Sequence, residues 1–196
     1  MTTWFTSDQH YSHDNKHGGI ITLTKRPFDS IPEMDEALIV NHNAVVSPED
    51  TIWHLGDFAY KCSAERASSI LHRLNGRHCM LWGNHDRPLR QALKSGMLND
   101  LLHSGRLEFI GSPDHKTSTS LEVTIARQRF WLSHYAHRTW PGAFRNVIHC
   151  FGHSHGNLSD LYRSTDVGVD NNGFFPVSVD SIIEKFQEVR EFKEDC

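Results

Sequence analysis

Short apolar runs that stop abruptly at Gly, Asp, Asn or His constrain this chain more than any other feature. Thr3-Trp4-Phe5-Thr6-Ser7 ends in Asp8, Thr51-Ile52-Trp53-His54-Leu55 in Gly56-Asp57, and His78-Cys79-Met80-Leu81-Trp82 in Gly83-Asn84-His85-Asp86. Later, Arg129-Phe130-Trp131-Leu132 ends in Ser133-His134, and Val147-Ile148-His149-Cys150-Phe151 in Gly152-His153. Their length and their aromatic and β-branched content predict buried strands. Trp53, Trp82 and Trp131 lie within these runs and are expected in the core.

Helical patterns separate the early strands. Residues 32–46 follow Ser30 as a candidate cap and carry Glu33, Asp35 and Glu36 in the first turn. Residues 63–74 place Ala67, Ile70, Leu71 and Leu74 on one face, and Gly76 stops the pattern. A last helix opens at Ser178 and carries Ile182, Ile183, Phe186 and Val189. Alternating strand and helix predicts parallel pairing in the first half. In the second half, residues 106–110, 121–127 and 130–132 lie close together and read as antiparallel hairpins. The expected fold class is α/β of mixed α+β type, with mixed sheets and helices outside. The length of 196 residues fits a single domain spanning residues 1–196. The polar stretch 111–120 reads as a surface connection.

Composition narrows the function classes. The net charge of -4 gives no reason to expect nonspecific nucleic-acid binding. No run reaches the ~18 apolar residues of a membrane helix, and the N-terminus lacks a secretory layout, so the expected location is the cytoplasm. Cys62, Cys79, Cys150 and Cys196 form neither a CxxC pair nor a disulfide-like framework.

The strand ends carry the chemistry. Ligands of open α/β sheets bind beyond the carboxyl ends of the strands, where these motifs bring carboxylates, an amide and imidazoles together. Asp8-Gln9-His10 and His153-Ser154-His155 read as extended pairs whose alternate side chains point the same way. Gly56, Gly83 and Gly152 allow close backbone approach. A metal would offset the burial of so many polar groups.

In order, Asp8-Gln9-His10, Gly56-Asp57, Gly83-Asn84-His85-Asp86, Ser133-His134 and Gly152-His153-Ser154-His155 resemble the motif set of the calcineurin-like metallophosphoesterases. Residues 7–13, Lys25-Arg26-Pro27-Phe28, residues 53–58 and Asp166-Val167-Gly168-Val169-Asp170 are similar to a small, single-domain bacterial and phage branch of that family, over essentially the whole chain. The resemblance implies a four-layer sandwich of two stacked mixed β-sheets flanked by helices. It implies a first metal on Asp8, His10 and His155, a second on Asn84, His134 and His153, and Asp57 bridging both. It makes His85 the proton donor to the leaving group and Asp86 the carboxylate that orients it. The cofactors are then two divalent ions, with Mn, Fe, Ni or Zn suiting ligands that include no thiolate. The expected reaction is attack on phosphorus by a hydroxide generated between the ions.

The expected partner is a small phosphorylated substrate, a nucleotide among the options, with no membrane partner. His13 and Arg26 are candidates for substrate contact, followed by His137 and Arg138. His17, His42, His54, His72, His78, His103, His115 and His149 are assigned to structure or solvent. Gly56-Asp57 is not followed by Asp-Arg-Gly, and the asparagine motif ends in Asp86 instead of Glu, which argues against the family's phosphoprotein phosphatases. Two alternatives stay open: a non-catalytic interaction scaffold on the same fold, and a nuclease.

Overall fold

A computed structural model describes residues 1–14, 17, 19–113 and 120–187. In chain order its elements are β1 (Thr3–Thr6), α1 (Gly19–Thr24), α2 (Ile31–Val45), β2 (Thr51–His54), α3 (Ala64–Arg73), β3 (Arg77–Leu81), α4 (Arg87–Lys94), α5 (Asn99–His103), β4 (Leu107–Ile110), β5 (Ser120–Ile125), β6 (Gln128–Ser133), β7 (Ile148–Phe151), β8 (Ser164–Asp166), β9 (Val177–Ser178) and α6 (Val179–Lys185).

The predicted helices begin where their caps place them. Ser30 Oγ accepts from the Glu33 N–H at 3.3 Å, and Ser63 Oγ from the Arg66 N–H at 3.2 Å. Ser178 caps α6 in the same way, accepting from the Ser181 N–H at 3.1 Å. Val189, Cys196 and His115 lie outside the described residues.

The strands form two mixed sheets. One has the order β4-β3-β2-β1-β9, with β1 to β4 parallel and β9 antiparallel. The other has the order β5-β6-β7-β8, antiparallel between β5 and β6 and parallel from β6 to β8. The faces of the two sheets share a core of Phe5, Leu55, Leu81, Phe130, Leu132 and Ile148, closed by Val179, Ile182 and Phe186 near α6. A fully buried side chain of this size stabilises the fold by roughly 1.5–3 kcal/mol. The other face of the first sheet packs Met80 and Trp82 against Met34 and Leu38 of α2, Ile70 and Leu71 of α3, Leu89 of α4 and Leu101 of α5. The two stacked sheets flanked by helices match the expected sandwich.

One pairing differs from expectation. Residues 107–110 do not join the hairpin; β4 pairs parallel to β3, with His78 opposite Leu107. The sequence reading missed α4 and α5, and these helices carry the chain back across the sheet to start β4 in the same direction as β3. The β5–β6 hairpin forms as expected. Among the described residues, no helix is long and apolar enough to cross a membrane.

Candidate metal centre

The ends of β1, β2 and β3 in one sheet and of β6 and β7 in the other supply the expected ligands. Two groups form: Asp8, His10 and His155, then Asp57, His134 and His153, with the ligand atoms of each group within 4.8 Å of one another. Asp57 Oδ2 lies between them, 3.4 Å from both His10 Nε2 and His134 Nε2. Asn84 joins the second group, its Oδ1 2.9 Å from His134 Nε2.

The local backbone is not what the spacing predicted. Asp8-Gln9-His10 and His153-Ser154-His155 are not extended pairs. Asp8, His10, Asp57, His153 and His155 have φ of 60, 52, 57, 66 and 48°. Left-handed turns, which Asp and His enter more readily than most residues, aim these side chains inward. Such conformations cost on the order of 1–3 kcal/mol each and persist where the surroundings fix them. Close approach also requires glycine. A Cβ on Gly83 would lie 2.2 Å from Asp57 Oδ1, and one on Gly152 would lie 2.3 Å from Asp8 Oδ2.

Each carboxylate commits one oxygen to backbone and spares the other. Asp8 Oδ2 accepts from the His153 N–H at 2.8 Å, whereas its buried Oδ1 has no hydrogen-bond partner. Asp57 Oδ1 accepts from the His85 N–H at 2.8 Å and leaves Oδ2 between the groups. The imidazoles are pinned from behind. His134 Nδ1 donates to the Leu55 carbonyl at 2.9 Å, and His155 Nδ1 pairs with Asp170 Oδ2 at 2.8 Å. His10 Nδ1 faces His13 Nδ1 at 3.1 Å, and its buried Nε2 lacks a hydrogen bond. Anchoring the outer ring nitrogen is how proteins present Nε2 to a metal.

The buried groups shift one another's protonation. Burial lifts Asp8 to about 6, with Asp57 adding to the rise and His134 and His155 opposing it. Burial lowers His10 to about 4. Burial also opposes charge on His134, but the Asp57 hydrogen bond and the fields of Asp8 and Asp57 carry it up to about 9. Burial raises Asp57 too, yet its contacts with His10 and His134 hold it well below the ordinary carboxylate range. Orphaned Asp8 Oδ1 and His10 Nε2 fit a divalent ion at the first group, and the converging donors of Asp57, His134, His153 and Asn84 could hold one at the second.

Four expected roles change. Asp86 does not turn toward the His85 ring: its buried carboxylate accepts from the N–H groups of Asp57, Phe58 and Gly83 at 3.0, 2.7 and 2.7 Å. It staples the β2 and β3 loops together. Arg26 has no donor left for a substrate, because it bonds Asp170 twice, the Asp8 and Gln9 carbonyls, and Met34 Sδ. His13 is buried behind His10, with its ring 4.7 Å from that of Tyr60. His137 is likewise occupied, accepting from Trp131 Nε1 at 2.9 Å and meeting Ser133 Oγ at 3.3 Å, while Arg138 is exposed.

Three contributors carried no assigned role in the sequence. Asp170, in a stretch the family resemblance had marked, holds both His155 and Arg26. Ser7 pairs with Gly168 and accepts from the Val169 N–H at 3.0 Å, which brings that stretch to the site. Tyr60 packs against His85 with ring centres 4.1 Å apart.

No family model matches the chain. An uncharacterized protein of Methanocaldococcus jannaschii is 29% identical over 196 residues, which is 94% of this chain and 91% of that protein. The Gene 66 protein of Mycobacterium phage L5 is 33% identical over 92 residues, 44% of this chain and 40% of its own. Among solved structures, a protein of unknown function from Aquifex aeolicus superposes with a TM-score of 0.67 at 23% identity, covering 94% of this chain and 98% of that one. That likeness is one of fold. A phosphopantetheinyl hydrolase from Mycobacterium tuberculosis aligns over 68% of this chain and 42% of its own, with 17% identity and a TM-score of 0.31, too partial to bear on function.

Proposed function

We propose that this chain hydrolyses phosphoester bonds, mono- or diester, with two divalent metal ions, in the manner of the calcineurin-like metallophosphoesterases that its motifs resemble. The observation that carries the proposal is the pair of ligand groups sharing Asp57 Oδ2, with Asp8 Oδ1 and His10 Nε2 buried and unpartnered beside it. Imidazole, carboxylate and amide donors without thiolate suit Mn, Fe, Ni or Zn. When bound, two such ions supply positive charge for a phosphate and a water acidic enough to ionise near neutral pH.

The chain's own residues do the rest. Asp8, His10 and His155 would hold one ion and Asn84, His134 and His153 the other, with Asp57 placed to serve both. His85 stands beside the groups with its backbone fixed by Asp57 Oδ1 and its ring against Tyr60. Burial lowers its proton affinity, Asp57 opposes that, and His134, His155 and Lys61 add to it. A more acidic imidazolium is a stronger donor to a departing oxygen. The substrate class is a small phosphorylated molecule, the acid excess of the chain disfavouring a long polyanion.

The test is hydrolysis of aryl phosphate mono- and diesters by metal-loaded protein, alongside His85→Ala. The variant is expected to retain its metals and lose about 10²-fold or more in turnover. Full activity in that variant would remove the acid role, and absence of metal-dependent turnover in the parent would remove the function.

A further inference from the structure

Beside His85 lies a groove of about 510 Å³, lined by Tyr60, Lys61, Cys62, Arg87, Pro88 and Gln91, none of which is an expected metal ligand. Tyr60 ties it to the centre: its ring centre is 4.1 Å from that of His85, and Lys61 Nζ lies over the same ring at 5.4 Å. Arg87 follows His85 by two positions, and its backbone N–H donates to the His85 carbonyl at 2.8 Å. Lys61 and Arg87 are both exposed.

Arg26, Arg66, Arg73, Arg77, Arg129 and Lys185 all pair with carboxylates. Several cations, Lys25, Arg90, Arg106, Arg127, Arg138 and Arg145 among them, pair with no carboxylate among the described residues, and Lys61 and Arg87 are the two of this kind that line the groove. Among the described residues, no Asp or Glu lines it. The chain as a whole carries an excess of acids, with 24 Asp and Glu against 20 Lys and Arg. Two unneutralised cations in one concavity focus a positive field there. A guanidinium and an ammonium together suit a phosphate, the first by its fork and the second as a point charge.

We infer that this groove receives a second phosphate-like anion, carried on the leaving group of the substrate. The inference rests on the proposed phosphoesterase reading, which places the leaving group at His85. The preferred substrates are then small phosphoesters with two anionic groups, one cleaved at the ligand groups and the other held by Lys61 and Arg87.

The experiment uses metal-loaded protein and two aryl substrates, phenyl phosphate and the same ester with a phosphonomethyl group on the ring, each as monoester and as methyl diester. The readout is the ratio of kcat/KM, charged leaving group over uncharged. For the wild type this ratio is expected to exceed one by about tenfold, and Lys61→Gln or Arg87→Gln is expected to bring it down by a similar factor. A wild-type ratio near one, or variants that slow both substrates equally, would overturn the inference while leaving the phosphoesterase reading intact. Absence of metal-dependent turnover of every substrate by the wild type would remove that reading and this inference with it.

Discussion

The two ligand groups are built from the same kinds of side chain but held differently. In the first, His155 is backed by Asp170, which Arg26 anchors in turn, and His10 is backed by His13. Asp8 and His10 are buried and His155 is half-buried. In the second, His134 is pinned to the Leu55 carbonyl, but His153 and Asn84 are exposed. Among the described residues, the ring of His153 packs against those of His134 and Tyr135, the latter at 4.6 Å between centres. Rigid, desolvated ligands with anchored outer nitrogens bind a metal tightly, whereas exposed ones exchange it. On the proposed reading, the first group would retain its ion and the second would stay open to solvent and substrate.

The sharpest way to break this asymmetry is to remove what the groups share. Asp57→Asn keeps the shape but removes the carboxylate charge at both groups' contact point. Metal content is expected to fall at both, and turnover by about 10³-fold, as for loss of a preorganised electrostatic contact. Elemental analysis and hydrolysis assays check this together, and a variant with full metal content would show that Asp57 does not bridge.

Asp170→Asn sharpens the contrast instead. It leaves every ligand in place but weakens the hold on His155 and Arg26, so affinity at the first group is expected to drop about 10- to 100-fold with the second unaffected. Metal titration followed by calorimetry distinguishes the two steps. Equal weakening of both would mean the groups are one cooperative unit.

A smaller effect is expected on stability. Gly83→Ala would push a methyl to 2.2 Å from Asp57 Oδ1, and overpacking of this kind costs roughly 1–3 kcal/mol. Thermal unfolding with and without metal should show a lower Tm and a smaller stabilisation by metal.

Histidines outside the groups provide the mildest comparison. Burial holds His42 down to about 4, and burial with the nearby His42 holds His78 to about 3. His54 Nε2 sits 3.1 Å from His78 Nδ1 in the same stack. The unfolded chain takes up these protons near pH 6.5, so it binds more protons than the folded chain below that pH. Stability is therefore intact at neutral pH and declines as pH falls from about 6.5 toward 4. Denaturant unfolding of chelated protein at several pH values measures it, and a flat profile would show that these rings are not neutral in the fold.

Much of this was legible before the fold was known. Runs ending in Asp8, Asp57, Asn84, His134 and His153 do place those side chains beyond strands, because a strand's end is marked by its own composition. Helices α2, α3 and α6 start at Ser30, Ser63 and Ser178 because a capping hydroxyl is a local signal. What was hidden depends on contacts distant in sequence. The three N–H donors to Asp86 and the five-fold engagement of Arg26 arise only when loops from different strands meet. The left-handed turns at Asp8 and His153 carry no spacing signature, and α5 is too short at five residues to carry one, whereas α4 does carry one, in Pro88 at its first turn and Leu89 and Ala92 on its buried face.

On the proposed function, two unequal metal groups would serve one phosphoester reaction. Titrating metal-free protein with Mn²⁺ while following aryl phosphate hydrolysis tests it most directly. Two ions per chain should bind in separate steps, the tighter silent in the assay and the weaker bringing turnover. Binding of fewer than two ions at neutral pH, or turnover already complete after the first, would contradict it.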